Sequence, residues 1–329
     1  MASLDKKNIL FLSPSFFSYE VEIQDALKHM GAHVTWCDER PSNTFLTKVL
    51  IRLNKKVVKR KIINYYSVIL NQLIKEKKEF DYIFIISPET LTLPILTNFK
   101  SSFPKAEVIL YMWDSFKNKG ALELLPEVDR AITFDPIDAE KYDLKFRPLF
   151  YIDKYKAKEA KILYDLLFIA TAHSDRYIFV KNLMRKLPDK LRFKSYFFLS
   201  SQKLYWAKKI VEKNFKNVKL EDISFTSLSH NETAEMVHHT KVVLDINHPE
   251  QVGLTMRTLE TLGAQKKLIT TNKDIVRYDF YNPTNFLILD RNDPNVPIAF
   301  FNTAFKPVGA DILKKYSVNG WIEEIFEVD

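Results

Sequence analysis

Short apolar runs recur along this chain between segments of helical spacing, and that alternation limits it to few architectures. Runs at 8–13 (NILFLS), 32–37, 81–87 (DYIFIIS), 107–113 (EVILYMW) and 130–134 are mostly apolar. Such runs mark parallel strands covered on both faces. Helical segments lie between them at 19–30, which Gly31 closes as a C′ residue, at 48–78 and at 91–99. The second half repeats the scheme, with strands at 165–170 (DLLFIA), 195–199, 241–246, 268–270 and 286–289, and helices at 178–187, 203–214, 231–239 and 255–263. The order predicts an α/β protein made of two Rossmann-like, doubly wound domains facing a cleft. A chain of 329 residues is long for one core and comfortable for two. The polar stretch YIDKYKAKEAKI suits a linker and sets the domains at 1–155 and 156–329, with a terminal helix at 310–326.

Charge and cysteine usage narrow the classes of function. The one cysteine, Cys37, excludes an intramolecular disulfide and a cysteine zinc cage, and fits a reducing cytoplasm. The segment MASLDKKNILFLSPSFF has no long apolar stretch, and no run reaches the roughly 18 apolar residues that cross a bilayer. The expectation is a cytoplasmic protein. Of its net charge of +8, residues 48–78 carry more than the whole, with ten Lys or Arg against Glu76 alone. Val49, Leu53, Val57 and Ile62 interleave with those charges at helical spacing. A basic amphipathic helix of this kind suits an anionic membrane surface, which would make the protein peripheral on the inner face of the cell membrane. It equally suits a core-facing helix with a solvated basic face. No aromatic platform lies beside it, so nucleic acid is not an expected partner.

Residues 241–272, KVVLDINHPEQVGLTMRTLETLGAQKKLITTN, read as strand, loop, helix and strand. A strand feeding a helix amino end forms an anion site, because unpaired N–H groups and the helix dipole meet the bound group. Arg257 in the first turn adds a planar fork suited to phosphate. In open parallel sheets ligands bind beyond the carboxyl ends of strands. The polar residues expected there are Ser13, Ser15, Ser18, Tyr19 and Glu20 after the first strand, Ser87 and Glu89 after the third, and Asp114 and Ser115 after the fourth. The second domain adds Thr171, His173, Ser174, Asp175 and Arg176, then Asn247, His248 and Glu250. Each has a plainer role available: an ion pair for the arginines, a helix cap for Asp114, a solvated loop carboxylate for Glu89. No Asp-x-Asp motif occurs, so no metal site is expected.

The run from Glu260 through Gly263, Gln265, Lys266 and Lys267 to Thr271 resembles the donor-binding motif of GT-B glycosyltransferases of the group 1 type. Gln265 and Lys267 stand where that motif has Gly and Pro. With Gly253, Leu254 and Arg257 it is similar to the CgeB-like branch found among capsule and lipopolysaccharide synthesis proteins, and TAHSDRY resembles the family's phosphate-side loop. The resemblance implies two domains of the GT-B fold, with a terminal helix crossing back. It implies a donor site formed by His173, Arg176, His248, Gly253, Leu254, Arg257, Glu260 and Lys266, with Glu260 on the ribose. The activity implied is transfer of a sugar from a UDP, GDP or ADP donor to a glycan or lipid-linked acceptor in surface glycan synthesis, without a bound metal or tight cofactor. An inverting reaction needs a base from the first domain, for which Asp114, Glu89 and Glu20 are candidates in that order. Two other readings stay open: a nucleotide-sugar epimerase on the same fold, and a non-catalytic nucleotide-binding scaffold.

Overall fold

The computed structural model describes residues 4–42, 55–172 and 175–328. The chain forms two compact units, one of Met1–Pro148 with Val318–Asp329 and one of Leu149–Ser317.

The first unit runs β1 (Asn8–Ser13), α1 (Tyr19–His29), β2 (His33–Asp38), α2 (Lys55–Lys75), β3 (Tyr82–Ile86), α3 (Leu93–Ser102), β4 (Glu107–Met112), β5 (Arg130–Thr133), α4 (Pro136–Tyr142) and β6 (Lys145–Phe146). The six strands are parallel in the order β2-β1-β3-β4-β5-β6, with Leu10 against Ile83 and Phe84 against Ile109. Ile83, Phe84, Ile85 and Ile86 are wholly buried, which is why DYIFIIS shows no polar alternation.

The second unit runs β7 (Tyr164–Thr171), α5 (Arg176–Lys186), β8 (Phe193–Phe198), α6 (Gln202–Val211), β9 (Ile223–Ser224), α7 (His230–His238), β10 (Thr240–Asp245), α8 (Met256–Gly263), β11 (Lys267–Thr270), β12 (Phe286–Ile288), α9 (Ile298–Asn302) and α10 (Ala310–Tyr316). Its sheet is also six-stranded and parallel, ordered β12-β11-β10-β7-β8-β9. Strand order reverses between β1 and β3 in one sheet and between β7 and β10 in the other. In open parallel sheets such reversal points are where ligands bind, beyond the carboxyl ends of the strands.

Three features differ from the sequence expectation. The edge strands β6 and β9 have two residues each, too few to show a periodic pattern. Residues 149–155 belong to the second unit, because Phe150, Ile152 and Tyr155 are buried there and the short 3-10 turn Asp153–Tyr155 packs on α7 and α8. The helix expected at 310–326 is two helices, α10 and α11 (Val318–Phe326), separated by Ser317 in an extended conformation. α11 packs in the first unit. Trp321 is wholly buried, its ring edge-on to Tyr111 at 4.9 Å and tilted against Phe84 at 5.9 Å.

Along α2, Val58, Ile62, Tyr66 and Leu73 face the core, while Lys59, Arg60 and Lys61 face outward with Val57 and Val68. Lys48 and Arg52 of the basic run lie outside the described residues, as do the side chains of Lys55 and Lys56. Among the described residues no helix is long and apolar enough to cross a membrane.

Candidate functional site

The loop from β10 to α8 is tied down residue by residue at the switch point of the second sheet. Asn247 Nδ2 donates to the Gln251 carbonyl at 2.8 Å, Thr271 Oγ1 to Asn247 Oδ1 at 2.7 Å, and Asn272 Nδ2 to the Val252 carbonyl at 2.9 Å. Leu254 is buried beneath it, and the carbonyl of buried Gly253 accepts from Gln251 Nε2 at 3.0 Å. His248 is exposed at the loop tip, with Nδ1 facing the Glu250 N–H at 3.4 Å. Thr255 caps α8, its hydroxyl accepting from the Thr258 N–H at 3.2 Å. Both threonine hydroxyls donate to Asp245 Oδ2, Thr255 at 2.5 Å and Thr258 at 2.9 Å.

Arg257 and Glu260 form an ion pair on α8, Nη1 to Oε2 at 2.6 Å. The Glu260 side chain is 3% exposed and that of Arg257 17%, so the pair is largely buried. The surroundings are polar. The Tyr155 hydroxyl interacts with both side chains and lies 3.4 Å from His230 Nδ1. Burial and then the Glu260 charge push that phenol far above its usual range, so it stays protonated.

Arg176, the first residue of α5, donates from Nε to the Ile246 carbonyl at 2.9 Å. It therefore joins the loops after β7 and β10. Burial pulls its guanidinium below the usual arginine range; Asp245 and Asp175 oppose that effect and Arg291 adds to it. Arg291, in the loop after β12, pairs with Asp175 at 2.7 Å and donates to the Asn247 carbonyl. Two guanidiniums and the amino end of α8 thus share the carboxyl edge of this sheet. His173 lies outside the described residues. Lys266 is not brought to Arg257. It sits where the chain enters β11, beside Lys158 and Lys161, and an eight-residue helix of about 12 Å separates it from the amino end of α8.

The candidate bases of the first unit are all engaged. Glu20, at the start of α1, accepts from Ser15 Oγ at 2.9 Å and the Phe16 N–H at 3.0 Å, which folds the loop after β1 around it. Glu89 is not a solvated loop carboxylate. It is 6% exposed and ion-paired to Arg40 Nε at 2.9 Å and to Lys119. Each of its carboxylate oxygens thus carries a cationic partner, Oε2 with Arg40 and Oε1 with Lys119. Asp114 is half-buried, and Oδ1 accepts from the Ser115 N–H at 3.0 Å and from Asn118 Nδ2 at 2.9 Å, so it braces its own turn. Beside it Asp138 is buried and accepts from the Phe116 N–H at 2.7 Å. Burial lifts the Asp138 carboxyl above the usual range, and the charges of Asp135 and Asp114 lift it further. Among the described residues no cluster of three or more His, Cys, Asp or Glu could hold a metal ion.

Several residues at these edges escaped sequence reading. Phe16 and Phe17 are about half exposed after β1, and being apolar they carry no signal of a site in the sequence. Phe16 lies 5.9 Å from the Trp113 ring, and Phe17 has a left-handed φ of 49°. Tyr155 was lost in a segment read as linker. Arg291 follows the last strand, and the same strand-end rule applied there would have found it. Asp138 lies in the helix after β5, and nothing in its local sequence marks it.

The two-sheet architecture has counterparts among solved structures. HepE from Anabaena, solved with UDP and glucose, aligns over 98% of both chains at 11% identity and a TM-score of 0.62. An α-glucosyltransferase in complex with UDP and DNA aligns over 87% of both at 13% identity and 0.58. The chain has the GT-B fold. A glycosyltransferase from Rickettsia africae ESF-5 shares this GT-B likeness over 98% of this chain and 97% of its own, at 13% identity and 0.56. No family model and no curated protein matches the sequence.

Proposed function

We propose that the protein is a glycosyltransferase that takes a sugar from a nucleotide-sugar donor. The observation that carries this reading is the Arg257–Glu260 pair, set among polar groups behind the carboxyl edge of the second sheet of a GT-B fold. In the proposed mechanism the donor pyrophosphate draws Arg257 off Glu260. The carboxylate is then open to the ribose hydroxyls, while Tyr155 keeps its other side hydrogen-bonded. Arg176, Arg291 and the N–H groups at the start of α8 meet the charge that grows on the leaving diphosphate. Groups fixed before the reaction stabilise that charge without reorganising. Uridine is the base we favour, since HepE and the α-glucosyltransferase were solved with UDP.

The acceptor hydroxyl needs a base from the first unit if the reaction inverts. Asp114 is our first choice, with the raised carboxyl of Asp138 beside it; Glu89 and Glu20 follow. The exposed rings of Phe16 and Phe17 suit stacking against a sugar or an apolar acceptor tail. The outward face of α2, with Arg60 and Lys61 beside Val57 and Val68, suits an anionic leaflet that carries a lipid-linked acceptor for surface glycan synthesis.

The test is release of nucleoside diphosphate from UDP-, GDP- and ADP-sugars by the purified chain, with and without lipid-linked acceptor. At least one donor should turn over. Arg176→Ala should slow it about a hundredfold, as loss of a donor to a developing anion does. Absence of turnover with every donor and acceptor, together with retained nucleotide binding, would leave the scaffold reading in its place.

A further inference from the structure

We propose that the outward face of α6 in the second unit is a docking surface for an anionic lipid bilayer. Positions 203, 206, 207 and 210 share one face of a helix at spacings of three and four. In α6 that face carries Trp206 at 54% exposure and Ile210 at 80%, with Val211 at 79% alongside. An exposed Trp–Ile pair one turn apart on a charged chain is unusual, and among the described residues both side chains stay largely uncovered. The opposite face is already fixed. Tyr205 is buried, its hydroxyl donates to the Val218 carbonyl at 2.8 Å, and its ring meets Phe215 edge-on at 5.6 Å. The helix cannot roll the apolar residues inward without breaking that anchor.

Charge selects the occupant. Between residues 202 and 216 there are five lysines and one acid, Glu212, which Lys208 pairs at 2.5 Å. Lys203 flanks the apolar residues on one side and Lys213 and Lys216 on the other. Long lysine stems lie along an apolar surface while their ammonium groups reach phosphate, and tryptophan prefers the headgroup level. A second copy of the chain fits poorly. A stable pair needs roughly 800 Å² from each partner, more than three side chains supply, and a two-fold contact here would set lysines against lysines.

This surface is separate from the donor site, and its test reads binding alone. The full chain is floated with vesicles of phosphatidylcholine, with or without phosphatidylglycerol. Wild type should float with anionic vesicles and remain behind with neutral ones, and added salt should weaken the binding. Ile210→Glu and Trp206→Glu should each reduce it about tenfold, and Lys203→Gln with Lys213→Gln should reduce it similarly. Unchanged melting curves show that the exposed substitutions leave the fold intact, and Ile210→Ser serves as the milder variant. The effect should persist in an Arg60→Gln background, which separates α6 from α2. Wild-type binding by Ile210→Glu, or equal flotation with neutral vesicles, would overturn the proposal. So would a dimer in sedimentation velocity that Ile210→Glu abolishes, which would assign the face to a second copy.

Discussion

Arg257 Nη1 lies 2.6 Å from Glu260 Oε2, one turn further along the same helix, and pairs with a carboxylate that has almost no exposure of its own. Removing the guanidinium leaves that charge buried beside Tyr155. Arg257→Ala is expected to lower stability by on the order of 3 kcal/mol, the usual cost of breaking a buried pair from one side. Arg257→Ala combined with Glu260→Gln should recover much of the loss. Equilibrium urea unfolding of the two variants measures both effects.

Gly263 marks another close approach. A Cβ built there would stand 2.4 Å from a Tyr151 ring carbon, and the tyrosine is anchored by a 2.9 Å hydrogen bond from its hydroxyl to the Leu313 carbonyl. Gly263→Ala should destabilise the second unit by about 1–3 kcal/mol, the range for overpacking a tight contact. Tyr151→Leu should relieve part of that in the double variant, which thermal melts of the four-member cycle would reveal.

Two aspartates should give pH effects of opposite sign. Arg192 and Lys241 hold the Asp165 carboxyl well below its usual range, Arg192 most strongly through its hydrogen bond. Its contribution is present above the unfolded value of about 4 and fades as pH falls toward the folded value. The stability gap between wild type and Asp165→Asn should therefore narrow in acid. Asp138 is raised in the folded protein, mainly by burial, so its ionisation opposes folding as pH climbs. Asp138→Asn should match wild type in acid and gain on it toward neutrality. Melting temperatures across pH 3–7 check both directions, with the limits set at about the carboxylate range.

Cys37 should be slow to react. Its thiol is half-buried on β2, and burial pushes its pKa up to about 11. At pH near 8 a free thiol of pKa about 8.5 carries roughly two hundredfold more thiolate. Alkylation by iodoacetamide should lag that of glutathione by about that factor, measured by mass spectrometry under native conditions.

The two parallel sheets were legible because their strands are buried on both faces, and unbroken runs such as DYIFIIS have no competing period. Strands of two residues, and a helix break made by Ser317 alone, leave no such trace. Arg257 and Glu260 stand out as candidates because they sit in one short motif. Tyr155 and Arg291 reach the second unit's carboxyl edge from distant parts of the chain, and sequence distance hides that. Gln265 shows the limit from the other side. It stands where the motif has Gly and adopts a left-handed φ of 50°. Its Oε1 accepts from the Val308 N–H at 3.1 Å, a partner 43 residues away that offsets the strain.

The most direct test is titration calorimetry of UDP, GDP and ADP into wild type and Glu260→Gln. If Glu260 holds a ribose, at least one nucleotide binds wild type below millimolar concentration, and the charge-neutral variant binds it about tenfold more weakly, the loss expected for one charged hydrogen bond. No heat at millimolar nucleotide, or equal affinity in the two proteins, would contradict the account.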